Sequence, residues 1–374
     1  MKFVVSTGTL APRVQNIRGV IASKSQVAIL DCFLFETQGL TLTITAGDAD
    51  NRLVTSLELI ECDEDARFCV NAKTLLDLIR ELNDQPVSFE VDLELMKITV
   101  RYLNGEFNIT SLPAADYPQL QGSPDGADTI SMSCAFLHEG ITCCMTSVAE
   151  DTVRPQMAGI FVDVTDQGTI FVATDGHKMV RDTVPASNDK PFSFILPKKI
   201  STLLRIILPK EEGDVAIATD GKSVRVTTAE YTMTGKLIEG RYPNYNSVIP
   251  KNNPFTVQID RSALLGAVRR VSLLSSQSSS LIKIRVADND MTLSGQDYDF
   301  ATSAEEHVLC QYTDTPVTIG FKGSLLSEML GILDCDEICL QLADARRPGI
   351  IVPAHKEENK GYILVLLMPM MVKD

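Results

Sequence analysis

The chain repeats one order of predicted elements three times, at a spacing of about 125 residues, and this repeat restricts its fold more than any other feature. In each third, an amphipathic helical stretch precedes a strand pair with a Gly/Asp turn, a second helical stretch and further strands. A period this long exceeds the roughly 20 to 50 residues of solenoid repeats. The sequence therefore predicts three similar α+β domains in tandem.

Six segments, two in each third, have apolar residues at helical spacing. The first segments of the three pairs span residues 10–22, 134–148 and 261–274, and the second segments span 72–79, 199–207 and 323–330. Asp260 is predicted to cap the fifth segment, because its carboxylate can accept a hydrogen bond from a free amide of the first turn.

Each third also contains an alternating run that ends in a Gly/Asp turn, which predicts a hairpin. The runs and their turns are 40–44 before 46–48, 169–172 before 174–176, and 291–293 before 295–297. Polar segments with Gly and Pro lie at 121–126 and 250–254, where the period requires joints. We therefore expect domains at residues 1–122, 128–250 and 254–374.

Charge is distributed unevenly between the predicted helices and the rest of the chain. The net charge of −15 argues by itself against nucleic acid, because phosphate contacts require Lys and Arg. The helical stretches with their flanking residues, however, carry +8 together, counted over 10–24, 71–82, 134–148, 196–208, 261–275 and 321–333, and the remaining residues carry −23. If the helices share one face, this face could hold a polyanion by its phosphates while the opposite face repels it. The alternative is that the basic residues of the helices are ordinary solvated surface.

Residues for catalysis or metal binding are not grouped in this sequence. The nine cysteines form no CxxC pair and the four histidines do not cluster with them, so we expect no metal and mostly buried, reduced thiols. No Ser/His/Asp or HExxH pattern accompanies the segment 174–178, which argues against an enzyme or a cofactor. A secretory signal is lacking, and the apolar run 362–371 is about half a membrane span, so we expect a cytoplasmic protein without a membrane partner.

Several segments resemble the bacterial beta sliding clamps, the beta subunits of DNA polymerase III. The segments are 173–178 (ATDGHK), 112–118 (LPAADYP), 241–245 (RYPNY), 367–370 (LMPM) and the opening 1–3 (MKF), in order along the whole chain. The resemblance implies the DNA clamp fold, in which a head-to-tail homodimeric ring has helices lining a central hole and sheets outside. It also implies a DNA polymerase processivity factor that slides on duplex DNA, independently of base sequence, and catalyses no reaction.

The resemblance further implies a pocket between the second and third domains that binds short peptides of partner proteins. Those partners would be the replicative DNA polymerase, the clamp-loader delta subunit, and repair and translesion polymerases. The pocket residues would be Met157, Thr174, Gly176, His177, Lys178, Met179, Pro243, Val248, Leu325, Pro348, Met368, Pro369 and Met370. By the same resemblance, the DNA-binding residues would be Lys24, Arg154, Lys198 and Lys199, and the dimer interface residues would be Phe107, Ile109, Leu273 and Leu274.

The sequence departs from the family pattern at three places. Ser247 stands where many relatives have Arg, and the tail 371–374 (MVKD) replaces a frequent Arg-Leu ending, which leaves the peptide preference open. Residues 155–156 replace aromatic residues that often follow the equivalent of Arg154, which bears on DNA contacts there. The alternative for the interface pairs is packing in their own domain's core, and the alternative function is a regulatory or ligand-binding scaffold of three domains without a ring.

Overall fold

The computed structural model describes residues 1–22, 27–118, 124, 127–150, 153–356 and 361–372. The chain divides into two compact units. The first comprises Met1–His138 and Lys199–Leu237, and the second comprises Glu139–Lys198 and Ile238–Asp374. The central third therefore contributes to both units, and the predicted boundaries of three domains stay a prediction.

The secondary structure confirms the predicted α+β class. The helices are α1 (Thr7–Arg18), α2 (Ala72–Arg80), α3 (Cys134–Met145), α4 (Lys198–Ile207), α5 (Arg261–Ser272) and α6 (Gly323–Gly331). The strands are β1 (Lys2–Ser6), β2 (Cys32–Gln38), β3 (Thr41–Gly47), β4 (Asn51–Glu58), β5 (Glu61–Cys62), β6 (Arg67–Asn71), β7 (Pro86–Asp92), β8 (Lys97–Tyr102), β9 (Gly105–Pro113), β10 (Asp128–Ser133), β11 (Gly159–Val164), β12 (Thr169–Thr174), β13 (Lys178–Val184), β14 (Phe192–Pro197), β15 (Asp214–Thr219), β16 (Ser223–Thr227), β17 (Tyr231–Lys236), β18 (Phe255–Asp260), β19 (Leu281–Ala287), β20 (Asp290–Asp297), β21 (Thr302–Gln311), β22 (Val317–Lys322), β23 (Glu337–Leu342), β24 (Gly349–Pro353) and β25 (Tyr362–Leu367).

Each unit contains one antiparallel sheet. The sheet of the first unit has thirteen strands in the order β10-β15-β16-β17-β4-β3-β2-β6-β9-β8-β7-β1-β5. The sheet of the second unit has twelve strands in the order β14-β11-β12-β13-β25-β24-β23-β18-β21-β20-β19-β22. The last strand of the chain, β25, therefore lies between β13 and β24, which brings the C-terminal residues beside a hairpin of the central third.

All six predicted helices are present, and side-chain caps explain where three of them begin. Helix α1 starts at Thr7, earlier than predicted, because Ser6 Oγ accepts a hydrogen bond from the Gly8 amide at 3.1 Å. Asn71 caps α2 in the same way. The predicted cap Asp260 is confirmed, since its Oδ1 accepts a hydrogen bond from the Ala263 amide at 2.7 Å.

The turn predicted in the third repeat is wrong. Strand β20 continues through Gly295 to Asp297, and the turn follows. There, Asp297 Oδ1 accepts hydrogen bonds from the amides of Asp299 at 2.9 Å and Phe300 at 3.2 Å. Gly295 instead lies against α5, where an added Cβ would be 3.0 Å from Val271 Cγ1. The glycine thus permits close packing of a helix on the strand.

Apolar side chains fill the core of each unit. In the first unit, the rings of Phe3 and Phe89 stack with centroids 4.8 Å apart, and Phe35 and Phe68 surround them. All nine cysteines are free, and five of them are buried. Among the helices that the structure describes, none combines the length and hydrophobicity needed to cross a bilayer.

Candidate functional site

The turn between β12 and β13 is held by its own side chains. Thr174 Oγ1 accepts a hydrogen bond from the Gly176 amide at 3.1 Å and donates one to the Lys178 carbonyl at 2.8 Å. Asp175 Oδ1 accepts hydrogen bonds from the amides of His177 and Lys178 at 2.8 and 3.0 Å. Gly176 has a φ of +91°, a conformation that favours glycine. The structure of the turn therefore explains by itself why Thr, Asp and Gly occupy these positions.

Strands β25 and β24 bring further predicted residues to the same end of the sheet. Lys178 lies opposite Leu367, which in turn lies opposite Gly349. One residue beyond these paired residues, the Met368 amide donates a hydrogen bond to the His177 carbonyl at 2.9 Å. The turn, the start of the tail and the residue before Gly349, which is Pro348, therefore lie side by side.

The tail after β25 continues past the edge strand of the sheet. The Met370 amide donates a hydrogen bond to the Gly320 carbonyl of β22 at 2.7 Å. An added Cβ on Gly320 would lie 2.9 Å from the Met370 carbonyl oxygen, so glycine is needed for this approach. Helix α6 follows β22 directly and also packs against β25, which brings Leu325 in its first turn to this region.

Two buried tyrosines hold the segment that contains Pro243 and Val248. Tyr242 and Tyr245 belong to the same core cluster as Met179. Pro243 lies between the tyrosines and is exposed, and Val248 is exposed directly after the short turn that begins at Tyr245. The core cluster thus supports an exposed apolar border beside β13.

We call the exposed and half-buried part of this region the C-terminal surface. It is formed by Thr174, Gly176, His177, Pro243, Val248, Leu325, Pro348, Met368, Pro369 and Met370. Met179 is buried beneath it. Met157 is also buried, in the short turn before β11, and its part in the site stays a prediction.

Lys178 lies beneath the C-terminal surface and is almost completely buried. Its ammonium forms an ion pair with Glu328 of α6, whose side chain is 40% exposed. A buried ammonium is costly unless it is paired, so this contact ties β13 to α6. Leu325 precedes Glu328 by one helical turn and therefore lies on the same side of α6.

The four predicted DNA-binding residues have different environments. Lys24 lies outside the described residues. Arg154 is exposed, and its guanidinium is 3.6 Å from the position that a Cβ on Gly176 would occupy, so it lies at the border of the C-terminal surface. Lys198 Nζ is 3.0 Å from Glu150 Oε1, and both side chains are largely exposed. Such an exposed pair contributes little to stability.

Lys199 makes two polar contacts within the first unit. Its ammonium donates a hydrogen bond to the Val20 carbonyl at 2.7 Å and forms an ion pair with Asp48. Burial alone would raise the pKa of Asp48, but hydrogen bonds from Lys199 and from backbone amides outweigh burial and lower it. Lys199 therefore also fastens α4 to the β3–β4 turn.

The predicted interface residues lie on strand β9 and at the end of α5. Phe107 and Ile109 are half-buried, whereas Leu273 is 81% exposed. An exposure this high rules out packing of Leu273 in its own core, and Leu274 is also exposed. The sequence reasoning missed other largely exposed apolar residues near these elements, of which Leu309 lies within β21 and the rest lie in turns. They are Leu95, Leu103, Tyr298, Phe300 and Leu309.

Comparisons with known proteins agree along the whole chain. The family models for the N-terminal, central and C-terminal domains of the DNA polymerase III beta subunit match residues 1–121, 132–244 and 246–370. The beta sliding clamp of Pseudomonas putida is 28% identical over 97% of this chain and 99% of its own length. A crystal structure of the DNA polymerase sliding clamp from Pseudomonas aeruginosa has a TM-score of 0.92 and 26% identity, with both chains fully covered. A Pseudomonas aeruginosa sliding clamp bound to griselimycin has a TM-score of 0.94 and 25% identity, again with both chains fully covered.

The names of these matches describe a polymerase subunit and a sliding clamp, and they give no catalytic role of its own. The chain therefore belongs to the DNA polymerase III beta subunit family, the non-catalytic sliding clamps that act as polymerase processivity factors.

Proposed function

We propose that this processivity factor works as a head-to-tail homodimeric ring on duplex DNA and tethers partner proteins through peptides bound at the C-terminal surface. The observation that carries the proposal is the convergence of the β12–β13 turn with the tail after β25, which joins residues about 190 positions apart. The partners are the replicative DNA polymerase, the clamp-loader delta subunit, and repair and translesion polymerases. The place of action is the bacterial cytoplasm.

The composition of the C-terminal surface favours a short apolar peptide. Methionine is flexible and polarizable, which suits a surface that accepts several partners. Met368 and Val248 are both exposed, and Met370 is half-buried. Burying two or three Leu or Phe side chains contributes about 5 kcal/mol by area. Ordering the peptide offsets part of this gain, so we expect an affinity of about micromolar for one peptide. Attachment to the same DNA raises the effective concentration of the partner.

Two strands with a free edge support the ring. Residues 105–110 of β9 pair only with β8 among the described strands, and residues 302–309 of β21 pair only with β20. Exposed apolar side chains flank both segments, at Leu103 before β9 and Leu309 within β21. A free edge with exposed apolar residues is a template for pairing with another chain. One such edge lies in each unit, which is the requirement for a head-to-tail interface.

Lysine and arginine side chains would contact the DNA through phosphates. Lys24, Lys198, Lys199 and Arg154 are the proposed contacts. Lys199 and Lys198 already have acidic neighbours, which weakens their attraction for phosphate and suits a ring that must slide. Binding should therefore depend on salt and not on base sequence.

The proposal is tested by topological retention on DNA. The protein is loaded on a nicked circular plasmid with a clamp-loader complex and ATP, and is separated from free protein by gel filtration. We expect the protein to stay with circular DNA and to leave after linearisation by a restriction enzyme. In solution, the protein should have about twice the chain mass of 40.9 kDa.

The double variant Leu273→Ala with Leu274→Ala should yield monomers that circular DNA does not retain. Leu40→Ala is the matched control, because Leu40 is also exposed but lies in the β2–β3 turn. Equal retention on circular and linear DNA would favour the three-domain scaffold without a ring. A double variant that remains dimeric would show that the interface lies elsewhere.

A further inference from the structure

The turn between β23 and β24 carries two arginines to the border of the C-terminal surface. Arg346 and Arg347 are exposed and directly precede Pro348, which belongs to that surface. Consecutive Cα atoms are about 3.8 Å apart, so the Arg346 Cα lies within about 8 Å of the Pro348 Cα. An arginine side chain extends several ångströms further, so its guanidinium can reach a peptide that lies on Met368.

Hydrogen bonds at both ends of this turn hold its backbone in place. Asp344 Oδ1 accepts hydrogen bonds from the amides of Arg346 at 2.8 Å and Arg347 at 3.1 Å. At the base of the turn, Asn253 Nδ2 donates a hydrogen bond to the Pro348 carbonyl at 3.0 Å. A side chain on such a preordered turn loses less conformational entropy on binding than one on a flexible segment.

The two arginines of the turn differ in whether their charge is compensated. Arg347 Nε is 3.3 Å from Asp344 Oδ2, and these two side chains form an ion pair. Arg346 forms no ion pair with any residue that the structure describes. The guanidinium of Arg346 therefore keeps its positive charge for a ligand.

Other charged residues of the region leave the same need for a negatively charged ligand. Glu328 is paired with Lys178, and Asp175 accepts two amide hydrogen bonds within its own turn. Arg154, at the border beside Gly176, also has no acidic partner within the described part of the chain. A chain with a net charge of −15 repels an acidic peptide overall, whereas uncompensated arginines at this border attract one.

We propose that Arg346 is a specificity-determining residue of the C-terminal surface, which binds a carboxylate beside the apolar residues of a partner peptide. The inference rests on the proposed function and adds the chemical class of the partner, a short apolar peptide with an adjacent Asp or Glu. Arginine suits this role because its planar guanidinium can donate two parallel hydrogen bonds to one carboxylate. The pair would be exposed to solvent, so it should favour an acidic peptide by about 3-fold at low salt.

The test is calorimetric titration of the full chain with capped peptides that share the core Gln-Leu-Ser-Leu-Phe. Two Glu residues extend the core at its N-terminal end in one peptide and at its C-terminal end in another, and Gln replaces Glu in the two neutral counterparts. We expect at least one acidic peptide to bind about 3-fold more tightly than its neutral counterpart. Raising the salt concentration to about 0.5 M should reduce this preference.

The variants separate the charge of Arg346 from the net charge of the protein. Arg346→Gln should abolish the preference without weakening the neutral peptides, and Arg346→Glu should reverse it. Arg80→Gln is the matched control, because it removes an exposed arginine from α2 in the first unit, and it should keep the preference.

Three outcomes would overturn the inference. Equal binding of acidic and neutral peptides to the wild type, or a preference that Arg346→Gln leaves intact, would remove the role of Arg346 while the peptide site stands. Binding of none of the four peptides would overturn the inference and the proposed peptide site together. Weaker binding of duplex DNA by Arg346→Gln, with unchanged peptide affinities, would mean that Arg346 contacts nucleic acid instead.

Discussion

The tetrapeptide Ala-Thr-Asp-Gly occurs at residues 173–176 and 218–221, once in each unit, and forms the same turn both times. In both turns the Thr hydroxyl accepts the Gly amide hydrogen bond, at 3.1 and 3.0 Å, and donates to the next strand at 2.8 Å. The Asp carboxylates each accept two amide hydrogen bonds, and the glycines have φ values of +91° and +82°. The turn is thus a local structure that these residue types specify by themselves.

What differs is the strand beside each turn. In the second unit, the His177 carbonyl accepts a hydrogen bond from Met368 at 2.9 Å, and Met368 is exposed. In the first unit, the Lys222 carbonyl accepts one from Leu237 at 2.8 Å, and Leu237 is buried. The same backbone contact therefore leads to an exposed apolar surface in one unit and to core packing in the other. A recognisable turn becomes a candidate binding site only through its neighbour.

The largest expected effect concerns the strands that follow the two turns. Asp182 and Thr227 occupy equivalent positions in these two strands, but only Asp182 is acidic. Burial, with a smaller contribution from Glu139, raises the pKa of Asp182 to about 7. Because the unfolded value is about 3.9, the folded protein retains a proton between about pH 4 and 7 that the unfolded chain releases. Stability therefore falls as pH rises through this window, by up to ~4 kcal/mol.

Asp182→Asn should consequently be more stable than wild type at pH 8, by up to ~4 kcal/mol, and nearly equal to it at pH 4. Urea unfolding followed by circular dichroism measures this difference, since the chain contains no Trp for fluorescence. Asp166→Asn, in the exposed β11–β12 turn, is the matched control and should show no such pH-dependent gain. A constant difference between Asp182→Asn and wild type from pH 4 to 8 would contradict the assigned titration.

Local features of the fold could be predicted from the sequence. The six helices follow from apolar spacing, the Asp260 cap from its carboxylate, and the 174–178 turn from its Thr, Asp and Gly residues. Gly295 was misread because a glycine in a turn and a glycine under a helix look alike in sequence. Only the packing of α5 on β20 separates these two uses.

Long-range features of the candidate site could not be derived from local pattern. The family resemblance supplied the grouping of Thr174 with Met368, because strand order in a sheet does not follow from periodicity. The ion pair of Lys178 with Glu328 and the position of Arg154 beside Gly176 depend on the same pairing. Burial of Asp182 was also invisible, since an acid in a strand normally faces solvent.

An intermediate effect on stability is expected at the first strand residue after each turn. This residue is Lys178 after the turn at 173–176 and Ser223 after the turn at 218–221. Glu328→Gln should cost about 2 to 3 kcal/mol, because the buried ammonium loses its charged partner. This range allows for the partial exposure of Glu328. Lys178→Met should cost less than about 1 kcal/mol, because Glu328 can then be hydrated.

Urea unfolding of both variants and of the double variant checks this asymmetry. The double variant should be close to Lys178→Met alone. Ser223→Ala is the control at the other turn and should change stability by about 1 kcal/mol or less. Equal losses for Glu328→Gln and Lys178→Met would show that the two charges do not depend on each other in the folded protein.

The smallest stability effect, and the most direct test of the comparison, is expected at the two turn glycines. An added Cβ at Gly176 would be 3.6 Å from the Arg154 guanidinium, and one at Gly221 meets nothing within 4 Å. In both alanine variants the main cost is therefore the left-handed backbone conformation, which disfavours alanine. We expect each variant to lose about 1 to 2 kcal/mol of unfolding free energy, and the two losses to be nearly equal in urea unfolding. Only Gly176→Ala should weaken a Gln-Leu-x-Leu-Phe peptide in calorimetric titration, by about 3- to 10-fold, because strain at this turn acts on Met368 through the His177 carbonyl. An equal fall in peptide affinity in both variants would instead mean that general destabilisation causes the weaker binding. The two turns would then not differ in their effect on the peptide site.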